Sequence, residues 1–335
     1  GVASSIVGKP YAPRMTAAAR ATPTTADTAT IHFADRLHEA IARCGTPACI
    51  GLDPVLEKLP PALRTRKGPG GGGGTIGAAD QIETFCLGVI DAVTGVVPAV
   101  KPQSACFERY AQSGVGALRK IIQHAHARGL VVILDAKRGD IGTTAEHYAA
   151  AAFGTAQSNP ALAADALTVN GYMGPDTVET FLHHGGADAG GRHGVFVLVR
   201  TSNPGSDAVQ AQRLADGRTV AELMADEVSR LGSQPGRIGA CGLSCVGAVV
   251  GATKSNEAGA LRARMPDQYL LIPGYGAQGG TLDDLKPMLR TRERVADAGI
   301  VVNASRSVIY PDGGDGGDWI GAVREAAKRF AGELA

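Results

Sequence analysis

Short apolar runs recur along the chain from residue 49 onward, each followed by an amphipathic or alanine-rich stretch. Eight of them read as strands: "CIGLD" (49–53), "VPAVK" (97–101), "VVILD" (131–135), "ALTVN" (166–170), "VFVLV" (195–199), "VGAVVG" (246–251), "YLLIP" (269–273) and "GIVVN" (299–303). Most are continuous rather than alternating, the pattern of parallel strands whose two faces are both buried. Helical patterns lie between them, for instance "ERYAQSGVGALRKIIQHAHARG" (108–129) and "TVAELMADEVSRLG" (219–232). Eight βα units over roughly 280 residues predict an α/β fold, a single-domain (β/α)8 TIM barrel. An open doubly wound sheet is the competing architecture. Several runs end in a chemically useful side chain, namely Asp53, Lys101, Asp135 and Asn170. A barrel gathers such C-terminal strand ends around one site, which favours it over the open sheet.

Residues 1–30 do not share this pattern. They are rich in Ala, Thr and Ser, carry Lys9, Arg14 and Arg20, and have no acid before Asp27. That composition fits a disordered tail or an organellar targeting segment, and the barrel is expected over 31–335. The glycine-rich stretch 67–77 reads as a surface insertion, because no Gly-Lys-Ser/Thr follows to open a phosphate-binding helix. No apolar run approaches the roughly 20 residues of a membrane span, so a cytoplasmic protein is expected, with organellar targeting by 1–30 left open.

A net charge of +1 gives no electrostatic reason for nucleic acid or a membrane surface, and 4% aromatic residues offer little for base stacking. The partner is therefore expected to be a small molecule. The six cysteines form no Cys-x-x-Cys pair and read as reduced, mostly buried thiols, with neither a disulfide framework nor a metal site. His124 and His126, and His183 and His184, are spaced too closely to share a helix face and read as surface residues.

"GYGAQG" (274–279) matches a dinucleotide-binding pattern in form only. The next apolar run ends in Asn303, where an acid would have to hold the ribose hydroxyls. The glycine-freed backbone can still cradle a phosphate, and Arg306 in "NASRS" lies just past the eighth run. These two loops read as a monophosphate grip.

"LDAKRGDIGTT" (134–144) places two acids and two bases directly after an apolar strand. Side chains two apart on a strand share a face, so Asp135 and Lys137 point together into the barrel mouth, with Lys101 beside them. Two lysines around one aspartate keep one another charged. "TTAE" (143–146) has the form of a capping box, with Thr143 capping and Glu146 reaching back. Read as structure alone, the acids favour a helix start and form a rim salt bridge. That reading leaves Lys101, Asp53 and the phosphate loops at the same end unexplained.

With these residues in view, the chain resembles the orotidine 5′-phosphate decarboxylase family, in the subgroup that carries D-A-K-R-G-D-I-G. The likeness covers nearly all of residues 35–330, through "CIGLDP", "AVKPQSACFE", "LDAKRGDIGTTAEHYA", "LTVNGYMGPD", "VRTSNPGS", "VVGAT", "IPGYGAQGG" and "VNASRS" in order. The resemblance implies conversion of orotidine 5′-phosphate to UMP and CO2, the last step of UMP biosynthesis, by a homodimer without cofactor or metal. It implies that Lys101, Asp135, Lys137 and Asp140 form the catalytic array, with Lys137 protonating C6 of the pyrimidine. It implies that Asp140 and Thr144 cross to the partner's site and that Asp53 and Lys101 hold the ribose hydroxyls. Ser202 would bond the pyrimidine edge, with Thr201 and Asn203 as neighbouring alternatives. Gln278, Gly279 and Arg306 would hold the phosphate.

Two other readings compete. A Mg2+-dependent sugar-phosphate enzyme of the same superfamily would need further acids at strand ends, where Lys101 and Asn170 stand instead. A catalytically silent nucleotide-binding barrel would have less reason to keep every charged residue of the array. A fused phosphoribosyltransferase is not expected within these residues, because the barrel takes up nearly all of them, and one elsewhere in a longer protein is left open.

Overall fold

The structure, a computed structural model, describes residues 31–64, 77–154, 162–183, 191–276, 279–312 and 317–335. Residues 1–30, most of the glycine-rich insertion and Gln278 lie outside the described residues.

Eight parallel strands pair in chain order and close on themselves: β1 (Ala48–Leu52), β2 (Ala99–Pro102), β3 (Val131–Arg138), β4 (Ala166–Val169), β5 (Gly194–Arg200), β6 (Ser244–Val250), β7 (Gln268–Ile272) and β8 (Ile300–Ala304). The TIM barrel is thus the architecture, and the open sheet is excluded. The strands are buried along nearly their whole length, which is why their sequences do not alternate.

Among the described residues the helices of eight or more residues are α1 (Phe33–Cys44), α2 (Ala78–Val93), α3 (Ala111–Ala127), α4 (Gly142–Phe153), α5 (Pro175–Leu182), α6 (Val220–Gly232), α7 (Ser255–Arg264) and α8 (Trp319–Glu333). Between β7 and β8 the described residues hold only short helical turns, so the βα alternation is incomplete there. Among the described residues no helix is long and apolar enough to cross a membrane.

α1 buries Phe33, Ala34, Leu37, Ala40 and Ile41, a spacing that puts them on one stripe. Phe33 packs edge-on against Phe196 of β5, with ring centroids 6.2 Å apart, and α1 closes the N-terminal end of the barrel. The helix stops at Gly45, whose φ of +68° lets its N–H return to the Ile41 carbonyl.

The same end is pinned by Asp165, just before β4. It accepts from Val132 N at 2.8 Å and His126 Nε2 at 2.9 Å, and also from Arg36. Burial alone would raise its pKa, but the His126 and Arg36 contacts and the Val132 amide hold it well below the usual carboxylate range. His126 is therefore a half-buried structural partner and not a plain surface histidine. The six cysteines are free thiols, three of them buried.

The capping box expected at Thr143 and Glu146 does not form. α4 starts two residues earlier, at Gly142 (φ +51°) after Ile141 at the cap position, and has no side-chain cap. A capping box does form at α6, where Thr219 Oγ1 accepts from Glu222 N at 3.1 Å and Glu222 accepts from Thr219 N at 2.7 Å.

Candidate active site

At the C-terminal end of the barrel, three charged side chains from two strands meet. Lys101 Nζ donates to Asp135 Oδ2 at 2.6 Å, and Lys137 Nζ donates to Asp135 Oδ1 at 2.6 Å. The β1–β2–β3 ladder runs on past the strand ends to hold this register, through Gln103 N to Leu52 O and Ser104 N to Asp135 O, both 3.1 Å. Two further side chains complete the shell: Gln103 Nε2 donates to Oδ2 at 3.2 Å and Thr168 Oγ1 to Oδ1 at 2.9 Å.

The electrostatics follow from this packing. Burial alone would raise the Asp135 pKa, but Lys101 and Lys137 hold it well below the usual carboxylate range. Burial alone would favour neutral Lys101, yet Asp135 and Asp53 outweigh it and raise its pKa above the ordinary value. Lys101 is buried with a side-chain exposure of 6%, whereas Lys137 is 48% exposed, so Lys137 is the more accessible of the two ammonium groups.

Lys137 reaches Asp135 by a route that strand alternation does not describe. Its φ is +46°, in the left-handed region, and the β3–β4 register shifts between Leu134 and Arg138. Thr168 Oγ1 receives the displaced backbone, accepting from Ala136 N at 3.1 Å and Lys137 N at 2.9 Å. Strain of this kind persists only where the surroundings impose it, and it clusters at functional sites.

A cavity of about 710 Å3 opens beside the triad. Lys101, Asp135, Lys137 and Thr168 form its charged end, while Leu198, Val199, Val249, Leu271 and Pro273 give it apolar walls. Ser202 also lines it. Thr201 and Asn203 are bonded to each other (Thr201 Oγ1 to Asn203 Oδ1, 2.7 Å), whereas the Ser202 hydroxyl has no hydrogen bond among the described residues. Gly251 makes room for that serine, since a β-carbon there would lie 2.9 Å from Ser202 Cβ.

The other expected site residues that the structure describes are not in the lining of this cavity. Asp53 directly follows β1, with Oδ1 buried and lacking a hydrogen-bond partner among the described residues, and Asn303 Oδ1 on β8 is in the same condition. Arg306 is exposed at the start of the short helix Arg306–Ile309, with no ion-pair partner among the described residues. Gly279 adopts φ +88° and returns its N–H to Gly276 O at 2.9 Å. Asp140 Oδ1 accepts from Ile141 N at 2.9 Å, and Thr144 is exposed in the first turn of α4. The sequence reading missed Thr168 and Gln103, although the run "ALTVN" already placed a polar Thr inside an apolar strand.

A profile of the orotidine 5′-phosphate decarboxylase / HUMPS family matches residues 47–313. The chain belongs to this family. Among its relatives, the orotidine 5′-phosphate decarboxylase of Rhodopirellula baltica is 41% identical over 302 residues, covering 88% of this chain and 96% of that protein. That of Roseiflexus castenholzii is 38% identical over 304 residues, covering 90% and 96%. Among solved structures, the OMP decarboxylase of Leishmania donovani superposes with a TM-score of 0.66 at 31% identity, covering 91% of this chain and 97% of that one. The UMP synthase of the same organism gives a TM-score of 0.69 at 33% identity, and the match spans 56% of that longer chain.

Proposed function

We propose that this chain is an orotidine 5′-phosphate decarboxylase, converting its substrate to UMP and CO2. The observation that carries the reading is the Lys101–Asp135–Lys137 triad, with both carboxylate oxygens engaged by ammonium groups, at the charged end of a cavity of nucleotide size. Family membership narrows the chemistry, and the full-length relatives named for this reaction agree with it.

Breaking the bond from C6 to its carboxylate leaves the electron pair on C6, where no adjacent carbonyl delocalises it. CO2 departs, and the charge on C6 must be stabilised electrostatically until a proton arrives. Lys137 is the half-exposed ammonium, so it faces C6, offsets the developing charge and delivers the proton. Asp135 holds that ammonium in place, and Lys101 and Thr168 hold Asp135.

The orphaned Asp53 Oδ1 suits a ribose hydroxyl, and the Ser202 hydroxyl suits the pyrimidine edge. Arg306, with Gln278 and Gly279, takes the phosphate, whose binding energy orders the loops around the ring. Asp140 and Thr144 complete the neighbouring site of a homodimer. Asp135 is the one acid lining the cavity among the described residues, and it is already committed to two lysines. This donor set favours a metal-free reaction over the Mg2+-dependent alternative.

The test is to follow the ultraviolet absorbance of orotidine 5′-phosphate with EDTA present. Conversion to UMP that disappears in Lys137→Ala is the expected result. Absence of conversion by folded wild-type protein overturns the proposal.

A further inference from the structure

Arg200, the last residue of β5, is among the largest fully buried side chains, 1% exposed, yet it does not line the cavity. A buried guanidinium is costly unless each of its five N–H groups finds an acceptor. All five are matched to acceptors here. Nε donates to Glu257 Oε2 at 2.8 Å and Nη2 to Glu257 Oε1 at 3.0 Å, a bidentate pair. Nη2 also donates to Asp207 Oδ1, and Nη1 to Ser206 Oγ at 2.9 Å and Gln210 Oε1 at 3.4 Å. Lys254 Nζ holds the same Asp207 oxygen at 2.7 Å.

These contacts join two loops that the barrel leaves separate. Ser206, Asp207 and Gln210 belong to the loop after β5, whereas Lys254 and Glu257 belong to the segment after β6. Gln210 carries the constraint back to the cavity, accepting from Thr201 N at 2.8 Å and donating to Thr201 Oγ1 at 2.9 Å. The backbone adds a third tie, Gly251 N to Arg200 O at 2.8 Å, at the glycine that packs on Ser202. Ser202 thus directly follows two residues fixed by one fork, Arg200 through its own side chain and Thr201 through Gln210.

We propose that Arg200 is a positioning residue for substrate binding: it latches the loop after β5 to α7 and so fixes Ser202 against the pyrimidine. This deepens the function proposed above and rests on it. A lysine cannot replace the fork, because its single ammonium lacks the planar five-donor geometry.

Two measurements test the latch. Hydrogen exchange of ligand-free protein reads the loop directly. Arg200→Lys and, more mildly, Glu257→Gln speed exchange over 201–210 at least ~10-fold, while the protected amides of β1 to β4 keep their rates. A double-mutant cycle with Ser202→Ala then reads function. Arg200→Lys lowers kcat/KM for orotidine 5′-phosphate at least ~10-fold, chiefly through KM, and Ser202→Ala costs far less in that background than in the wild type. Unchanged exchange over 201–210 in both variants overturns the proposal. So do losses that simply multiply in the cycle, because an arginine acting on overall stability alone would not couple to Ser202. If wild-type protein fails to convert orotidine 5′-phosphate, the proposed function falls, and the exchange measurement decides the latch on its own.

Discussion

Removing the Lys137 ammonium leaves Asp135 still held by Lys101, Gln103 and Thr168, so the site keeps its shape while losing the proton donor proposed above. Lys137→Ala should therefore lower turnover by roughly a thousandfold or more, with the UMP dissociation constant changed by less than ~10-fold. Equilibrium binding and single-turnover kinetics separate the two effects. Asp135→Asn is the opposite case, because it takes from buried Lys101 its ion-pair partner and leaves only the Asp53 charge nearby. A loss of about 3 kcal/mol in unfolding free energy is expected from that lost pairing, together with lost activity. The pH dependence carries the sign. The Asp135 pKa is depressed in the folded state, so its contribution is fully present above the unfolded value of about 4 and is lost as pH falls through the lower folded value. Denaturant titrations across acid pH should accordingly show a shallower loss of stability for Asp135→Asn than for the wild type. The two lysines and Asp135 were legible in the sequence because strand ends and charge reveal them. Gln103 and Thr168 were not, since what makes them matter is a partner 32 or 33 residues away.

The β3–β4 pair shows why strands are easier to read than their ends. All eight strands fall within two residues of the apolar runs at most boundaries, because burial on both faces writes itself into composition. β3 is an exception: it runs on to Arg138, through a register shift and a lysine at φ +46°. No local preference predicts such a backbone, since it is sustained by the Thr168 hydroxyl on the next strand. The same holds for α4, where a good capping pattern is overridden by an earlier start at Gly142. Thr168→Val keeps the shape but removes one donor to Asp135 and the acceptor for two amides. A destabilisation of about 2 kcal/mol is expected, with kcat reduced more than KM is raised, because Lys137 loses its backbone support. Thr168→Ser, which keeps the hydroxyl, should recover most of both. Chemical denaturation and steady-state kinetics on the two variants check this.

At the scale of the whole molecule, the proposed homodimer turns on Asp140 and Thr144 near the start of α4. Neither lines the cavity of its own chain, and exposed apolar side chains stand near Asp140: Ile141, which follows it, is 63% exposed, and Met173, which packs at Gly139, is 46% exposed. Large apolar groups clustered at a rim mark an interaction surface more often than isolated ones do. A two-fold axis there would cover that surface and carry each Asp140 toward the neighbouring site, since an isologous contact places the same residues on both sides. Ile141→Glu should then shift the protein toward monomer in sedimentation velocity and lower activity together with assembly. Mixing inactive Lys101→Ala and Asp140→Ala subunits provides the sharper test. A hybrid dimer has one site with both lesions and one with neither, so random pairing should restore about a quarter of wild-type activity. Hybrids that form, as seen by tagged co-purification, yet remain inactive would return Asp140 to the site of its own chain.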